Sequence, residues 1–245
     1  MTLPGNPLGD RCAAVLPYDP SGPSAAPPGV DDAEFRLAML EDVYEVAAGL
    51  EFVTAALVVD PDGPADAESI TWPGTPIVRD PAPAAAFAAL HALGAREAAL
   101  IAPDAPDLPP LLIGKLFRAL GSAPAAACQA ADGNGLVALA ARLPLPAWLA
   151  AALGEPALGE PALGEPALGE PALGEPGSTV LDGSGTVLDA PDALARLRAA
   201  APRPGLVPQG PGWHRIRTPA DVRFLDPGLE GWDNTRALLE GSPLR

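Results

Sequence analysis

Ala98-Ala99-Leu100-Ile101-Ala102-Pro103-Asp104-Ala105-Pro106-Asp107-Leu108-Pro109 decides the fold. Its first five residues are an unbroken apolar run, as expected of a central parallel strand covered on both faces. The Pro- and Asp-rich turn that follows leads into a helix carrying Leu112, Leu116 and Leu120 on one face and stopped by Gly121. Upstream, Cys12–Leu16 reads as a buried strand, and Pro17–Gly29 as a loop. Asp31 then caps a helix, with Glu34 three residues on. Met39, Val43, Val46 and Leu50 form that helix's inner stripe, and Glu41, Asp42 and Glu45 are expected to face outward. Phe52–Val59 and Pro76–Val78 are further strand candidates, the first ending at the turn signal Asp60-Pro61-Asp62-Gly63. Pro83–Leu93 is an Ala-rich helix ended by Gly94. Two more strands, Ala125–Ala130 and Leu136–Ala141, flank Asp132-Gly133-Asn134-Gly135. Strand–helix alternation of this kind predicts an α/β three-layer sandwich with a mainly parallel sheet and right-handed crossovers.

Composition narrows the partners. The chain has 245 residues, 48% of them apolar, which excludes wholesale disorder even though Gly (26) and Pro (33) are abundant. Fifteen basic against 31 acidic residues give a net charge of −16, which repels nucleic-acid phosphates and anionic lipid alike. Neither partner is expected. The first residues show no basic-then-apolar leader, and the 136–153 stretch is interrupted by Arg142, Pro144 and Pro146, so a membrane span is not expected. Two cysteines are too few for a disulfide framework. The expected location is the cytoplasm.

From Ala152 to Pro176 the sequence Ala-Leu-Gly-Glu-Pro recurs five times. Five residues match neither a helical nor a strand period, and each copy carries a Pro and a Gly. The segment is a spacer or partner-binding element, or a neutral expansion in a surface loop; the second reading is the simpler one. It divides the chain into a core (1–151), a repeat loop (152–177) and the C-terminal part of the same domain (178–245). In that last part, Thr179–Leu181 and Thr186–Leu188 around Asp182-Gly183-Ser184-Gly185 suggest a hairpin. Asp189 suggests a helix cap, Trp213–Ile216 a last strand, and Thr218-Pro219-Ala220-Asp221 the start of a short helix. Asp233 is expected to cap a terminal helix.

Three segments carry a resemblance. Ala38-Met39-Leu40-Glu41-Asp42-Val43, Asp104-Ala105-Pro106-Asp107-Leu108-Pro109 and Arg217-Thr218-Pro219-Ala220-Asp221-Val222, together with Asp132-Gly133, resemble motifs of the glycosyltransferase-A-type nucleotidyltransferases. That group includes molybdenum-cofactor and phospholactate guanylyltransferases and bacterial glycosyltransferase-like proteins. The resemblance implies a nucleotide-diphospho-sugar transferase fold and a nucleotide or nucleotide-sugar partner. It also implies Mg²⁺ or Mn²⁺ held through Asp104. Phosphate contacts would come from the loop after the first strand (Gly22, Ser24 and Arg36) and from the Asp132-Gly133 turn.

The residues depart from that pattern at two places. The loop contains Pro17, Pro20, Pro23, Pro27 and Pro28, and no Lys or Arg precedes Arg36 within it. Proline lacks the N–H that grips phosphate, and Asp19, Asp31 and Asp32 repel it. Where relatives carry late acids, this chain has Arg215 and Arg217, which cannot ligate a cation. Asp104 and Asp107 could equally cap the helix after them. His214 is a general-base candidate without an identifiable orienting acid, while His91, Cys12 and Cys128 read as surface or packing residues. No Walker loop, zinc spacing or serine elbow occurs. Two functions stay open: a degenerate transferase-like binding or regulatory module, and an active metal-dependent transferase of a nucleotidyl or glycosyl group.

Overall fold

A computed structural model describes residues 9–19, 22–60, 67–154 and 187–241. The apolar run at its centre is a strand, β4 (Glu97–Ile101), and it pairs in parallel with β1 (Arg11–Val15). β1 pairs in parallel with β2 (Thr54–Val58), and β2 with the short edge strand β3 (Ile77–Val78). On the other side β6 (Leu136–Arg142) lies antiparallel to β4 and to β5 (Ala125–Gln129), so the order is β3-β2-β1-β4-β6-β5. The expected mixed, mainly parallel sheet is the one observed.

Strand side chains alternate between faces, and the two cores record it. Cys12 and Ala14, with Ala98 and Leu100, pack against Phe87 and Leu90 of α2 (Pro83–Ala92), Leu149 of α4 (Ala147–Ala152) and Leu197 of α5 (Ala193–Ala200). Ala13 and Val15, with Ala99 and Ile101, pack against Leu40 and Val43 of α1 (Asp32–Ala48) and Ile113 and Leu116 of α3 (Pro110–Ala119). The cysteines fall on opposite faces, and burial pushes both thiols up to about 12, which suits packing and not nucleophilic attack. A third cluster, including Phe35, Met39, Ile216 and Trp232, joins α1 to the C-terminal segment that ends in α6 (Asp233–Leu239).

Several local expectations are corrected. Asp31 does cap α1, accepting the Glu34 N–H at 3.0 Å, but Asp42 faces inward and is fully buried. Its carboxylate accepts the N–H groups of Asn234 (3.0 Å) and Thr235 (2.8 Å), the first-turn donors of α6. Asp42, and not Asp233, therefore supplies the cap of that helix, from across the fold. Phe52 does not belong to β2: its φ is +61° and it is 90% exposed, in the turn after the Gly49 cap of α1. Asp189 ends a 3-10 turn (Val187–Asp189) and does not cap α5; Val187 and Leu188 are therefore not strand residues. The rest of that proposed hairpin, the turn at 61–63 and all of the repeat beyond Gly154 lie outside the described residues. Trp213–Ile216 is no strand either; it makes only an isolated bridge from Trp213 to Ala130 beside β5. The short helix expected at Thr218–Asp221 is a 3-10 helix (Pro219–Phe224), and Thr218 and Asp221 close a capping box at its start.

Candidate functional site

The carboxyl ends of β1 and β4 are where an open α/β sheet leaves a crevice. The chain continues each strand by one bond, Leu16 N–H to Ile101 O (2.9 Å) and Ala102 N–H to Val137 O (2.8 Å), before turning away. Between the two exits lies a cleft of about 250 Å³, lined by Pro17, Gly22, Arg36, Asp104, Asp189 and Arg215 among others. Gly22, Arg36 and Asp104, separated widely in sequence, thus share one site.

The floor is ionic. The Ile216 N–H donates to the Asp104 carbonyl at 2.7 Å, which anchors the late segment against the turn after β4. Ile216 is buried in the third cluster. Arg215 and Arg217, its neighbours on either side, both turn to Asp104. Arg215 Nε donates to Asp104 Oδ1 at 2.5 Å, and its Nη1 to Asp189 Oδ1 at 2.7 Å and to the Leu136 carbonyl at 3.1 Å. Arg217 lies 3.6 Å from Asp104 Oδ2, and donates to Asp189 Oδ1 (3.2 Å) and the Asn134 carbonyl (2.7 Å). The Arg215 side chain is only 6% exposed. Burial opposes its charge, yet Asp104 and Asp189 together hold its pKa above the ordinary value. Burial and the adjacent Arg215 guanidinium hold that of Arg217 below it.

The loop after β1 is tied to the first turns of α1. Arg36 donates from Nε to Asp32 (2.7 Å) and from its terminal nitrogens to the carbonyls of Asp19 (2.5 Å), Gly22 (2.9 Å) and Pro23 (2.9 Å). Ser24 Oγ donates to Asp32 at 2.6 Å and does not line the cleft. The guanidinium expected to meet phosphate is the staple of the loop. At the β5–β6 turn, Asp132 accepts the Asn134 N–H (2.9 Å), and Gly133 has φ +81° with open space where a Cβ would sit. Neither lines the cleft. The closer fit is at Gly135, φ +82°, where a Cβ would collide with the Leu188 carbonyl and lie 3.0 Å from Arg217 Nη2.

Asp104 and Asp107 do not cap α3, whose N-cap is Pro109 without a side-chain bond. Asp107 is the orienting acid that sequence reading missed for His214. Its Oδ1 accepts His214 Nε2 (2.8 Å) and Trp213 Nε1 (3.0 Å), and its Oδ2 accepts the Asp226 N–H (3.2 Å). His214 packs beside Trp213 and Phe224, outside the cleft lining. Asp189 was also missed as a site residue, since a lone Asp before an Ala-rich helix reads as a cap.

The donor set does not suit a divalent cation at Asp104. Such an ion needs open carboxylate oxygens, and the two oxygens of Asp104 face two guanidinium groups. Among the described residues no three His, Cys, Asp or Glu side chains are grouped to hold a metal.

No protein-family model matches the chain, and no curated protein matches its sequence. Solved structures do. A protein from Desulfovibrio desulfuricans described as a nucleotide-diphospho-sugar transferase superposes with a TM-score of 0.60 at 15% identity, over 96% of this chain and 98% of that one. Rv0371c from Mycobacterium tuberculosis, solved with manganese, gives 0.47 at 16% identity over 95% and 99%. The first likeness shows the fold: the chain has the nucleotide-diphospho-sugar transferase architecture that its motifs resemble. Among the described residues no helix is long and apolar enough to cross a membrane.

Proposed function

We propose that this chain is a nucleotidyltransferase- or glycosyltransferase-like protein whose phosphate loop and metal site have degenerated, and that it acts as a binding or regulatory module. The observation that carries this reading is the pairing of Asp104 with Arg215 and Arg217. A transferase of this fold needs positive charge left open to neutralise the negative charge that develops on the donor's phosphates. Here the positive charge on the floor is already paired with Asp104 and Asp189. The loop supports the same conclusion, because Arg36 spends its bonds on loop carbonyls and Asp32.

A thermal-shift screen of nucleoside triphosphates and nucleotide sugars, with and without Mn²⁺, tests the proposal. Ligands that bind only the native state raise its melting midpoint. The degenerate reading expects no stabilisation that depends on Mn²⁺. Stabilisation by any nucleotide that appears only with Mn²⁺ and disappears in Asp104→Asn favours the active transferase instead.

A further inference from the structure

A second surface lies at the end of the sheet opposite the cleft. β1, β2 and β4 run in parallel, so their amino ends share one face, and Asp10, Arg11, Phe52, Val53, Arg96 and Glu97 line a shallow groove across it. Among the described residues Phe52 is the one residue other than glycine with a positive φ, and it is 90% exposed. The left-handed region is unfavourable for a residue with a Cβ, and an aromatic ring gains nothing from water. Neither feature helps the chain alone, and backbone strain of this kind persists where a surface is used. The groove's charges cancel. Arg11 pairs with Glu97 at 2.8 Å and Arg96 with Asp10 at 3.5 Å, the last two side chains being over three-quarters exposed. A neutral patch thus sits on a chain whose net charge is −16.

That mismatch selects the partner. A cationic protein would be drawn to the acidic remainder of the surface, and a foreign acidic one has no complement to both signs of the groove. A second copy of this chain is repelled by most of itself and escapes that repulsion at a neutral patch. The patch also carries both halves of a self-complementary contact: Phe52 as the projecting ring, and Val53 with the arginine stems as the shelf. Around a two-fold axis, Arg96 of each copy meets Asp10 of the other. We infer that this amino-end face is a homodimer interface, with Phe52 of each copy packed into the groove of the other. The inference goes beyond the function proposed above and does not depend on how the cleft is used. A groove this small supports a weak, reversible dimer.

The test is sedimentation velocity of the full chain from micromolar to millimolar concentration. The wild type should shift from monomer toward dimer across that range. Raising salt from about 10 to about 150 mM shortens the Debye length from about 30 to about 8 Å, which screens the long-range repulsion between two acidic copies. Dimerisation should therefore strengthen several-fold with salt. Phe52→Gly removes the ring and relaxes the backbone, since glycine accepts a positive φ. It should abolish the dimer without lowering the melting midpoint. Arg96→Asp leaves two surplus acids in the groove, and Asp10→Arg two surplus bases. Each variant should be monomeric by itself, and an equimolar mixture of the two should dimerise. A wild type that stays monomeric at millimolar concentration in the higher salt overturns the inference. So does a dimer that survives Phe52→Gly, or a mixture of the charge variants that stays monomeric.

Discussion

Arg215 Nε sits 2.5 Å from Asp104 Oδ1, and the two groups form a nearly dry ion pair at the carboxyl end of the central strand. A buried pair of this kind adds little net stability by itself, because desolvation offsets most of the attraction, but removing one member strands the other. Its consequence is chemical. The carboxylate that the fold presents at its crevice is committed to the chain's own cation.

Asp104→Asn leaves Arg215 buried with Asp189 as its remaining carboxylate partner. We expect a loss of about 3 kcal/mol in urea unfolding. That is larger than the effect of losing a helix cap, about 1 kcal/mol, which is what the substitution would cost if Asp104 merely capped α3.

Asp107→Ala should cost about 2–4 kcal/mol. Three donors, Trp213 Nε1, His214 Nε2 and the Asp226 N–H, lose their acceptor at once in a buried setting. Chemical denaturation gives the value, and a loss under 1 kcal/mol would show that water replaces the carboxylate readily.

Asp42 makes stability depend on pH with an unusual sign. Burial pushes its pKa up to about 7, against hydrogen bonds from Thr235 and Asn234 that pull it down. Between its ordinary value of 3.8 and about 7 the folded chain binds more protons at this site than the unfolded one. Its contribution is thus fully present below pH 3.8, fades as pH rises through 7, and is absent above. Asp32 works the other way. Its pKa is lowered: burial opposes the shift, but the hydrogen bond from Ser24 and the charge of Arg36 outweigh it, so its contribution is lost as pH falls. The difference in unfolding free energy between wild type and Asp42→Asn isolates the first effect. It should decline from pH 4 to 7 and stay flat beyond.

Most of the sheet was legible because buried strands announce themselves as apolar runs, and Ala98–Ala102 and Cys12–Leu16 fall within one residue of β4 and β1. The contacts made between distant segments were not legible. Asp42 lies among Glu41 and Glu45 and looks like a solvated face, until α6 arrives from 192 residues away to use it as a cap. Asp107 and His214 are separated by 107 residues, and nothing local pairs them. Arg36 shows the same limit. Its type and place fit a phosphate contact, and only the path of the loop reveals that carbonyls hold it.

Arg36→Ala should free the loop of its staple. We expect a loss of about 2–3 kcal/mol, from three hydrogen bonds to carbonyls and one to the Asp32 carboxylate. Cleavage by a broad-specificity protease between residues 17 and 30 should quicken. Unchanged cleavage would show that Ala25, Ala26 and the third cluster hold the loop unaided.

On the function proposed above, Arg215 and Arg217 take the place of a divalent ion beside Asp104. Electron paramagnetic resonance of Mn²⁺ measures this directly, since binding broadens the signal of the free ion. Titrated with Mn²⁺ in the presence of a nucleoside triphosphate, the wild type should leave the free-ion signal equal to that of the same Mn²⁺–triphosphate solution without protein, since the triphosphate binds part of the ion by itself. The double variant Arg215→Asp/Arg217→Asp, which returns carboxylates to the floor, should deplete it. Stoichiometric uptake of Mn²⁺ by the wild type, lost in Asp104→Asn, would contradict the account.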